Sequence, residues 1–340
     1  MGHDLVLYPH QEEAIVYALD LDPDAAVPQG FTVKRHSLGA DGFGQLRQLL
    51  QTDLAALSIG TVGVAPDSGR HVLPGNSAEN SPFSVPLIHD FLSSVTVQET
   101  DFFAQQAMRK TAAEVEKIQR ANDIAAFGLR AFYANLQPGR TEAELAALVE
   151  GAIQSQSGKH GSSLARAWAY IQAGPNSAKA GTYSRSSGYA MQAGDMVVLE
   201  MGTWVDGYWS DLTRTAVVGT PSADQARLIE TVQTAQQAAI DAMRPGVSHA
   251  DVDTAARQIM EAAGYGAAFT HHTGHHVGFR YHDYGPLAAP GSTEPLAEGM
   301  IITIEPGAYG ELFGGGCRFE ENVLVTESGA RVLSDQQIRG

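Results

Sequence analysis

The pattern of apolar and polar positions differs between the first third of the chain and the remainder. Over residues 1–105, short apolar runs such as DLVLYP and EEAIVYAL alternate with a helical pattern at residues 45–54 and a further apolar run, LAALSIGTVGV. This order predicts a small α/β domain. Residues 65–86 are rich in glycine, proline and serine. They predict a long surface loop that contacts a partner or a second subunit.

From Met108 onwards the apolar residues recur at helical spacing, and the predicted second domain therefore comprises residues 106–340. The stretch KTAAEVEKIQRANDIAAFGLRAFYANL forms the first helix of this domain and ends before Pro138 and Gly139. Thr141 and Glu144 have the spacing of a capping box, which predicts that a second helix begins there.

Strand patterns follow these two helices. The segments ARAWAYIQAG, DMVVLEMGTWVDGYWSD and LTRTAVVG have strand character, and the last two, separated by little more than a turn, predict a hairpin or meander. Residues 222–243 and 248–263 return to helical periodicity. A histidine-rich strand and the strands MIITIEPGAYG and CRFEENVLVT complete the prediction. The fold class is therefore α+β, with an antiparallel sheet backed by helices.

Composition and charge narrow the classes of function. The chain has 340 residues, of which 44% are hydrophobic and 18% charged, as is typical of globular proteins with two domains. The net charge of -16 argues against nucleic acid or an anionic membrane as partner. Cys317 is the only cysteine, the N-terminus has no signal pattern, and no run of about 18 apolar residues occurs. We expect a soluble, cytoplasmic protein.

Several side chains that can bind metal lie on or beside predicted strands of the second domain. They are Glu200, Asp211, His275, Glu305 and Glu320. Apolar residues flank Glu200 and Glu305, which predicts buried strands in which an unpaired carboxylate would be costly. Oxygen ligands with one imidazole favour Mn, or else Zn, Co or Fe. Two such ions about 3.5–4 Å apart can activate a shared water for attack on an amide.

The segment FTHHTGHHVGFRYHD is unusually dense in histidine. It contains His271, His272, His275, His276 and His282. Spacing alone leaves open which of these binds metal. For His272 and His276, packing in the interior or exposure to solvent is the favoured interpretation.

Motifs in a fixed order make a specific resemblance. They are GPNSA, LEMGTWVDGYWSDLTRT, HHTGHHVGFRYHD, TIEPGAYG and GCRFEENVLVTESG. The chain resembles the prolidase (Xaa-Pro dipeptidase) and aminopeptidase P branch of the methionine aminopeptidase and creatinase superfamily. The resemblance implies a pita-bread catalytic domain over residues 106–340, with a curved antiparallel sheet, and a shortened creatinase-like domain over residues 1–105. It also implies a homodimer that hydrolyses the amide bond before proline in short peptides.

The same resemblance assigns the metal ligands to two divalent ions. His275 and Glu305 would bind one ion and Glu200 the other, with Asp211 and Glu320 as bridges. Here Glu200 stands where the family has aspartate in an I-D-x-G context. The extra methylene implies a weakened second position, so that a single ion is the alternative.

Roles in catalysis also come from the resemblance. His282 would stabilise the charge that grows on the substrate carbonyl oxygen. His271 would be a second active-site histidine, and Arg318 would bind substrate. Glu305 would move a proton from the attacking water to the leaving nitrogen.

A second departure from the family follows GPNSA. The family carries a histidine there that contacts substrate, whereas this chain continues with Lys179 and has Gly181 in that region. Lys179 or Tyr183 could replace it, and the sequence does not select between them.

Two other functions stay open at this point. One is a metal-free, creatinase-like amidinohydrolase, which is disfavoured because it depends on the missing histidine. The other is a non-catalytic pita-bread module that binds a peptide or protein. Metal analysis separates these alternatives from a metallopeptidase.

Overall fold

The computed structural model describes residues 5–10, 12–19, 31–37, 42–64, 92–179 and 186–334. The chain divides into two compact units, Met1–Phe103 and Ala104–Gly340. The loop predicted at residues 65–86 lies outside the described residues. In the described parts of the chain, no helix has the length and apolar character needed to cross a membrane.

The first unit combines strands with one long helix. Its elements are β1 (Leu5–Leu7), β2 (Ile15–Leu19), β3 (Thr32–His36), α1 (Gly42–Ala56), β4 (Thr61–Val64) and β5 (Thr96–Glu99). Strand β2 pairs antiparallel with β1 and parallel with β3, and β4 pairs parallel with β5. Leu46, Leu50 and Leu54 follow helical spacing and bury one face of α1 against Tyr17. The predicted small α/β arrangement is confirmed.

The helices that belong to or border the second unit are α2 (Phe102–Met108), α3 (Ala112–Asn135), α4 (Glu142–Gln154), α5 (Ala223–Ala242) and α6 (His249–Ala262). Among them, α2 was not predicted and the other four begin at the predicted places. The predicted capping box is present: the Thr141 side chain accepts a hydrogen bond from the amide of Glu144, whose carboxylate accepts one from the amide of Thr141. Equivalent boxes begin α3, α5 and α6.

The strands of the second unit pair antiparallel throughout. They are β6 (Ala165–Ala173), β7 (Met196–Val205), β8 (Tyr208–Val217), β9 (Ile301–Ile304), β10 (Gly307–Gly310), β11 (Gly315–Arg318), β12 (Glu321–Thr326) and β13 (Gly329–Val332). They form the sheets β6-β7-β8, β13-β12-β9 and β10-β11. The predicted α+β class is confirmed.

The second unit consists of two halves of similar construction. In the first half, residues 112–217, helices α3 and α4 bury side chains such as Leu129 and Val149 against Leu199 of the first sheet. In the second half, residues 223–332, helices α5 and α6 bury apolar side chains against β9 to β12. Each half is therefore a pair of helices packed on an antiparallel sheet.

The predicted position of the hairpin turn was wrong. The prediction ended one strand segment at Asp211, but β7 and β8 turn at Asp206 and Gly207, where φ is 47° and 99°. Asp-Gly with positive φ is the preferred two-residue hairpin turn. Asp211 therefore lies within a continuous strand.

The predicted histidine-rich strand is also wrong. Residues 271–283 form only isolated bridges, Gly274 with Ala288 and His276 with Ile302. The segment lies along β9, but the amide of His275 donates to the Thr303 hydroxyl (3.0 Å) in place of a backbone carbonyl. A β-carbon on Gly274 would overlap the Thr303 carbonyl oxygen. This close approach interrupts the regular ladder.

The two last predicted strands are each broken in two. The first breaks between β9 and β10 at Glu305 and Pro306, where proline lacks an amide donor. The second breaks between β11, which pairs with β10, and β12, which pairs with β9. At this change of partner the amide of Glu320 donates to the Thr213 carbonyl (3.1 Å). Both predicted ligands thus stand at strand breaks.

Candidate metal centre

The structure brings most of the predicted ligands to one point. Donor atoms of His275, Glu305 and Glu320 lie within 4.8 Å of one another, as do those of Asp211, His275 and His282. His275 Nε2 is 3.3 Å from Asp211 Oδ2 and 3.7 Å from Glu305 Oε1. Four predicted ligands from four separate segments therefore meet around the His275 side chain.

The chemistry of these donors fits a cation. His275 Nδ1 lies 3.0 Å from the His276 carbonyl, which can only accept, so Nδ1 carries the proton and the Nε2 lone pair faces the carboxylates. Lone pairs facing one another in the interior are unfavourable without a positive charge between them. Among the described residues, Glu320 Oε1 is buried and has no hydrogen-bond partner. A divalent ion would satisfy all of these atoms.

Burial also acts on the acids themselves. It raises the pKa of Glu305 to about 8, and burial together with the neighbouring Glu305 carboxylate raises the pKa of Glu320 to about 8. The pKa of Asp211 is raised well above its ordinary value, first by burial and then by the Glu320 and Glu305 carboxylates. Several adjacent acids become ionised at neutral pH only when a cation compensates them.

Two contacts to these acids were missed in the sequence analysis. The Tyr281 hydroxyl lies 2.8 Å from Glu200 Oε1 and 2.7 Å from Asp211 Oδ1. Thr213 donates to Glu320 Oε2 at 2.7 Å. Thr213 could have been identified, because it follows Asp211 by two positions and shares its strand face. Tyr281 gives no local signal besides its place directly before His282.

Glu200 is the predicted ligand that the convergence leaves out. It lies on β7, its side chain is 22% exposed, and it contacts the Arg318 guanidinium through Oε2. Its other oxygen faces Tyr281. Glu200 belongs to neither of the two groups of converging donors.

Arg318 and His271 are linked through a tyrosine. Arg318 Nη1 donates to the Tyr309 hydroxyl at 3.0 Å, and that hydroxyl is 3.0 Å from His271 Nε2. Arg318 Nε also donates to Thr213 Oγ1 at 3.0 Å. Burial lowers the pKa of His271 to about 4, which keeps its ring neutral. Of the three predicted substrate-binding residues, His282, His271 and Arg318, Arg318 lies 3.9 Å from Glu305 and His271 is joined to Arg318 through Tyr309.

The remaining histidines of the segment differ in their surroundings. His282 is exposed, and its ring centroid lies 3.9 Å from that of His275. His272 is partly exposed, with Nε2 3.5 Å from Glu305 Oε1. His276 is completely buried, and its Nε2 is 3.1 Å from His249 Nε2. Of the two interpretations of His276, packing is right and exposure is wrong.

A buried ion pair supports the turn that carries His282. Lys110 Nζ is 3.2 Å from Asp283 Oδ2, and both side chains are almost fully buried. The Asp283 amide donates to the His276 carbonyl at 2.8 Å.

Gly181 and Tyr183 lie outside the described residues, so the replacement for the missing family histidine stays open.

Comparisons with known proteins show the family to which the chain is similar. The profile of metallopeptidase family M24 matches residues 116–327. The Xaa-Pro dipeptidase of Pyrococcus furiosus is 34% identical over 255 residues, which are 74% of this chain and 71% of the relative. The Xaa-Pro dipeptidase of Lactobacillus helveticus is 34% identical over 242 residues, 71% of this chain but only 64% of the relative. The prolidase structure from Pyrococcus furiosus superimposes with a TM-score of 0.76 at 29% identity, covering 96% of this chain and 88% of that one.

Proposed function

Because the chain belongs to metallopeptidase family M24, we propose that it is a metal-dependent exopeptidase that hydrolyses the amide bond before proline in short peptides. The observation that carries the proposal is the convergence of Asp211, His275, Glu305 and Glu320 in a buried position. The substrate class is supported by the Xaa-Pro dipeptidases among the relatives. The pita-bread fold of the catalytic unit is that of the prolidase structure.

The residues around the proposed metal position have distinct tasks in the reaction. A divalent ion, when bound, lowers the pKa of water and polarises the scissile carbonyl. Glu305, itself one of the converging donors, accepts a proton from the attacking water and delivers it to the leaving nitrogen. His282, at the exposed edge, donates a hydrogen bond to the oxygen that becomes negative. Arg318 and His271, joined by Tyr309, bind the peptide.

Several finer points complete the proposal. Mn is the metal that best suits three carboxylates and one imidazole, with Zn, Co or Fe as alternatives. The protein acts in the cytoplasm, which a chain with a single, buried cysteine supports. It acts as a homodimer, which its resemblance to the proline-specific branch supports. The first unit is a shortened creatinase-like domain.

The experiment is proline release from defined peptides. Purified full-length protein, treated with chelator and reloaded with Mn, is incubated with Ala-Pro, Gly-Pro and a longer Xaa-Pro peptide, with Ala-Ala as a control for selectivity. We expect proline release from at least one dipeptide, and its loss on chelation. Absence of release with Mn, Zn, Co and Fe would contradict the proposal. Turnover of a small amidine by metal-free protein would favour the amidinohydrolase instead.

A further inference from the structure

The Tyr281 hydroxyl lies between the carboxylates of two predicted metal ligands. Its oxygen is 2.8 Å from Glu200 Oε1 and 2.7 Å from Asp211 Oδ1. A metal ion that joined these two acids would have to bind both oxygens at about 2.0–2.2 Å. The hydroxyl oxygen therefore bridges the two carboxylate oxygens to which such an ion would bind.

The tyrosine ring is held firmly in this place. Tyr281 is 1% exposed, and its ring packs edge-on against Trp168 and Trp209, with centroid distances of 4.7 and 5.7 Å. His282 stacks on the same ring at 5.0 Å. Moving the hydroxyl out of the way would disturb this aromatic cluster, because close-packed interiors resist displacement of a large side chain.

The negative charge of Glu200 is already compensated by a neighbouring side chain. Glu200 contacts the Arg318 guanidinium through its second oxygen. One of its carboxylate oxygens therefore faces the guanidinium, and the other faces the Tyr281 hydroxyl, whose single proton is shared with Asp211. Arg318 supplies the positive charge that a second ion would otherwise bring to Glu200. On the other side of the centre, His275 Nε2 faces Asp211 Oδ2 and Glu305 Oε1, and donor atoms of His275, Glu305 and Glu320 converge.

We propose that Tyr281 closes the second metal position, so that the centre holds one divalent ion on Asp211, His275, Glu305 and Glu320, and Glu200 is not a ligand. The inference rests on the proposed metallopeptidase function and concerns the number of ions. It makes Tyr281 a residue that determines metal stoichiometry.

The test is metal stoichiometry in the full-length protein, measured with Mn(II) alone. Chelator-treated protein is dialysed to equilibrium against saturating Mn(II), and bound metal is counted by elemental analysis. We expect one ion per wild-type chain and two per Tyr281→Phe chain, since phenylalanine keeps the ring and removes the blocking oxygen. Tyr189→Phe is the matched control: its hydroxyl also donates to a carboxylate, Asp195 at 3.0 Å, and the count should stay at one.

Electron paramagnetic resonance gives a second measurement that does not depend on activity. Wild-type protein should show the hyperfine pattern of an isolated Mn(II), and Tyr281→Phe the broadened signal of a coupled pair. Two ions in the wild-type chain would overturn the inference and leave the proposed function intact. One ion in both chains would overturn the role of Tyr281. Absence of bound metal in the wild-type chain would overturn the proposed function as well.

A second variant keeps the test decisive if Tyr281→Phe is unstable. Glu200→Gln should change the affinity for Mn(II) by less than about threefold, because Glu200 is not a ligand. Glu320→Gln should weaken that affinity by more than about tenfold, the loss typical of groups that hold a metal or its ligands. Equal losses in the two variants would identify Glu200 as a ligand and overturn the inference.

Discussion

Asp211 projects from the middle of an unbroken strand in the first half of the second unit, whereas Glu305 and Glu320 of the second half stand where strands end. Strands β7 and β8 pair along their whole length, from Met196 with Val217 to Val205 with Tyr208. A regular strand fixes the direction of each side chain by alternation. A strand break releases that constraint and allows two acids at the junction of two sheets to face the same histidine. In the first half, the regular strand therefore fixes the direction of Asp211. In the second half, the local backbone at each strand break sets the directions of Glu305 and Glu320.

The largest loss of activity should come from replacing His275, which lies in the irregular segment of the second half and faces the acids. His275→Ala should lower kcat/KM for an Xaa-Pro dipeptide by more than about 1,000-fold, because an ion holding the reacting groups contributes several kcal/mol. Calorimetric titration should show weakened metal binding. His276→Ala serves as control: its lost packing lowers thermal stability, but metal stoichiometry should be retained. The reverse ranking would show that the donors are wrongly identified.

The next effect tests the ion pair that joins the two halves. Arg214 of β8 is completely buried, and its Nη2 lies 3.0 and 3.1 Å from the two carboxylate oxygens of Glu321 on β12. Arg214→Met should lower the free energy of unfolding by about 3–5 kcal/mol, because it leaves a buried carboxylate uncompensated. Arg227→Met removes an exposed pair with Asp224 and should lower stability far less. Similar losses in denaturant titrations would contradict the inferred importance of the buried pair.

A smaller effect should appear on changing pH, and only without metal. The raised pKa values of Glu305 and Glu320, about 8 against the ordinary 4.5, mean that the folded state retains protons that the unfolded state has lost. Stability should therefore fall as pH rises between these values. We expect the Tm of chelator-treated protein to be lower at pH 8 than at pH 6 by more than about 2 °C. Saturating Mn should abolish this difference, and an equal slope with and without Mn would count against the acid cluster.

The smallest effect concerns the helices, in which the halves should behave alike. Thr141→Ala in the first half and Ser248→Ala in the second each remove the side chain of a complete capping box. Each should lower stability by about 1 kcal/mol in chemical denaturation. Equal losses of stability would show that the two halves differ in their strands and not in their helices. A loss of stability in only one of the variants would show that the helices of the two halves differ as well.

The same difference accounts for how far the sequence could predict the structure. The helices of both halves carry strong periodicity and capping residues, and they begin where predicted. The hairpin exists as predicted, but its turn was misplaced because the strong strand pattern around Asp211 obscured the Asp206-Gly207 signal. Alternation shows that residues are extended without showing which strand they pair with. The breaks at Glu305 and Glu320 were missed for that reason.

The candidate site, like the fold, could be predicted only in part from the sequence. Residue type and resemblance picked out Asp211, His275, Glu305 and Glu320 as candidates, because acids among apolar neighbours need a compensating charge in the interior, and the structure brings these four close together. The position of Glu200 depended on a partner 81 residues away, the Tyr281 hydroxyl. No local pattern reveals a contact of that separation. The sequence could indicate that the extra methylene mattered, but not which side chain it would meet.

The missing side chain at Gly274 has a consequence for mutational scanning. A β-carbon there would collide with the Thr303 carbonyl oxygen, so even alanine would push the neighbouring His275 away from the acids. A library screened for turnover should therefore mark Gly274 as intolerant as any ligand, although it has no group that can bind or react. Loss of activity in a Gly274 variant would result from a displaced backbone. A ranking of positions by loss of activity alone would wrongly place Gly274 among the catalytic or metal-binding residues.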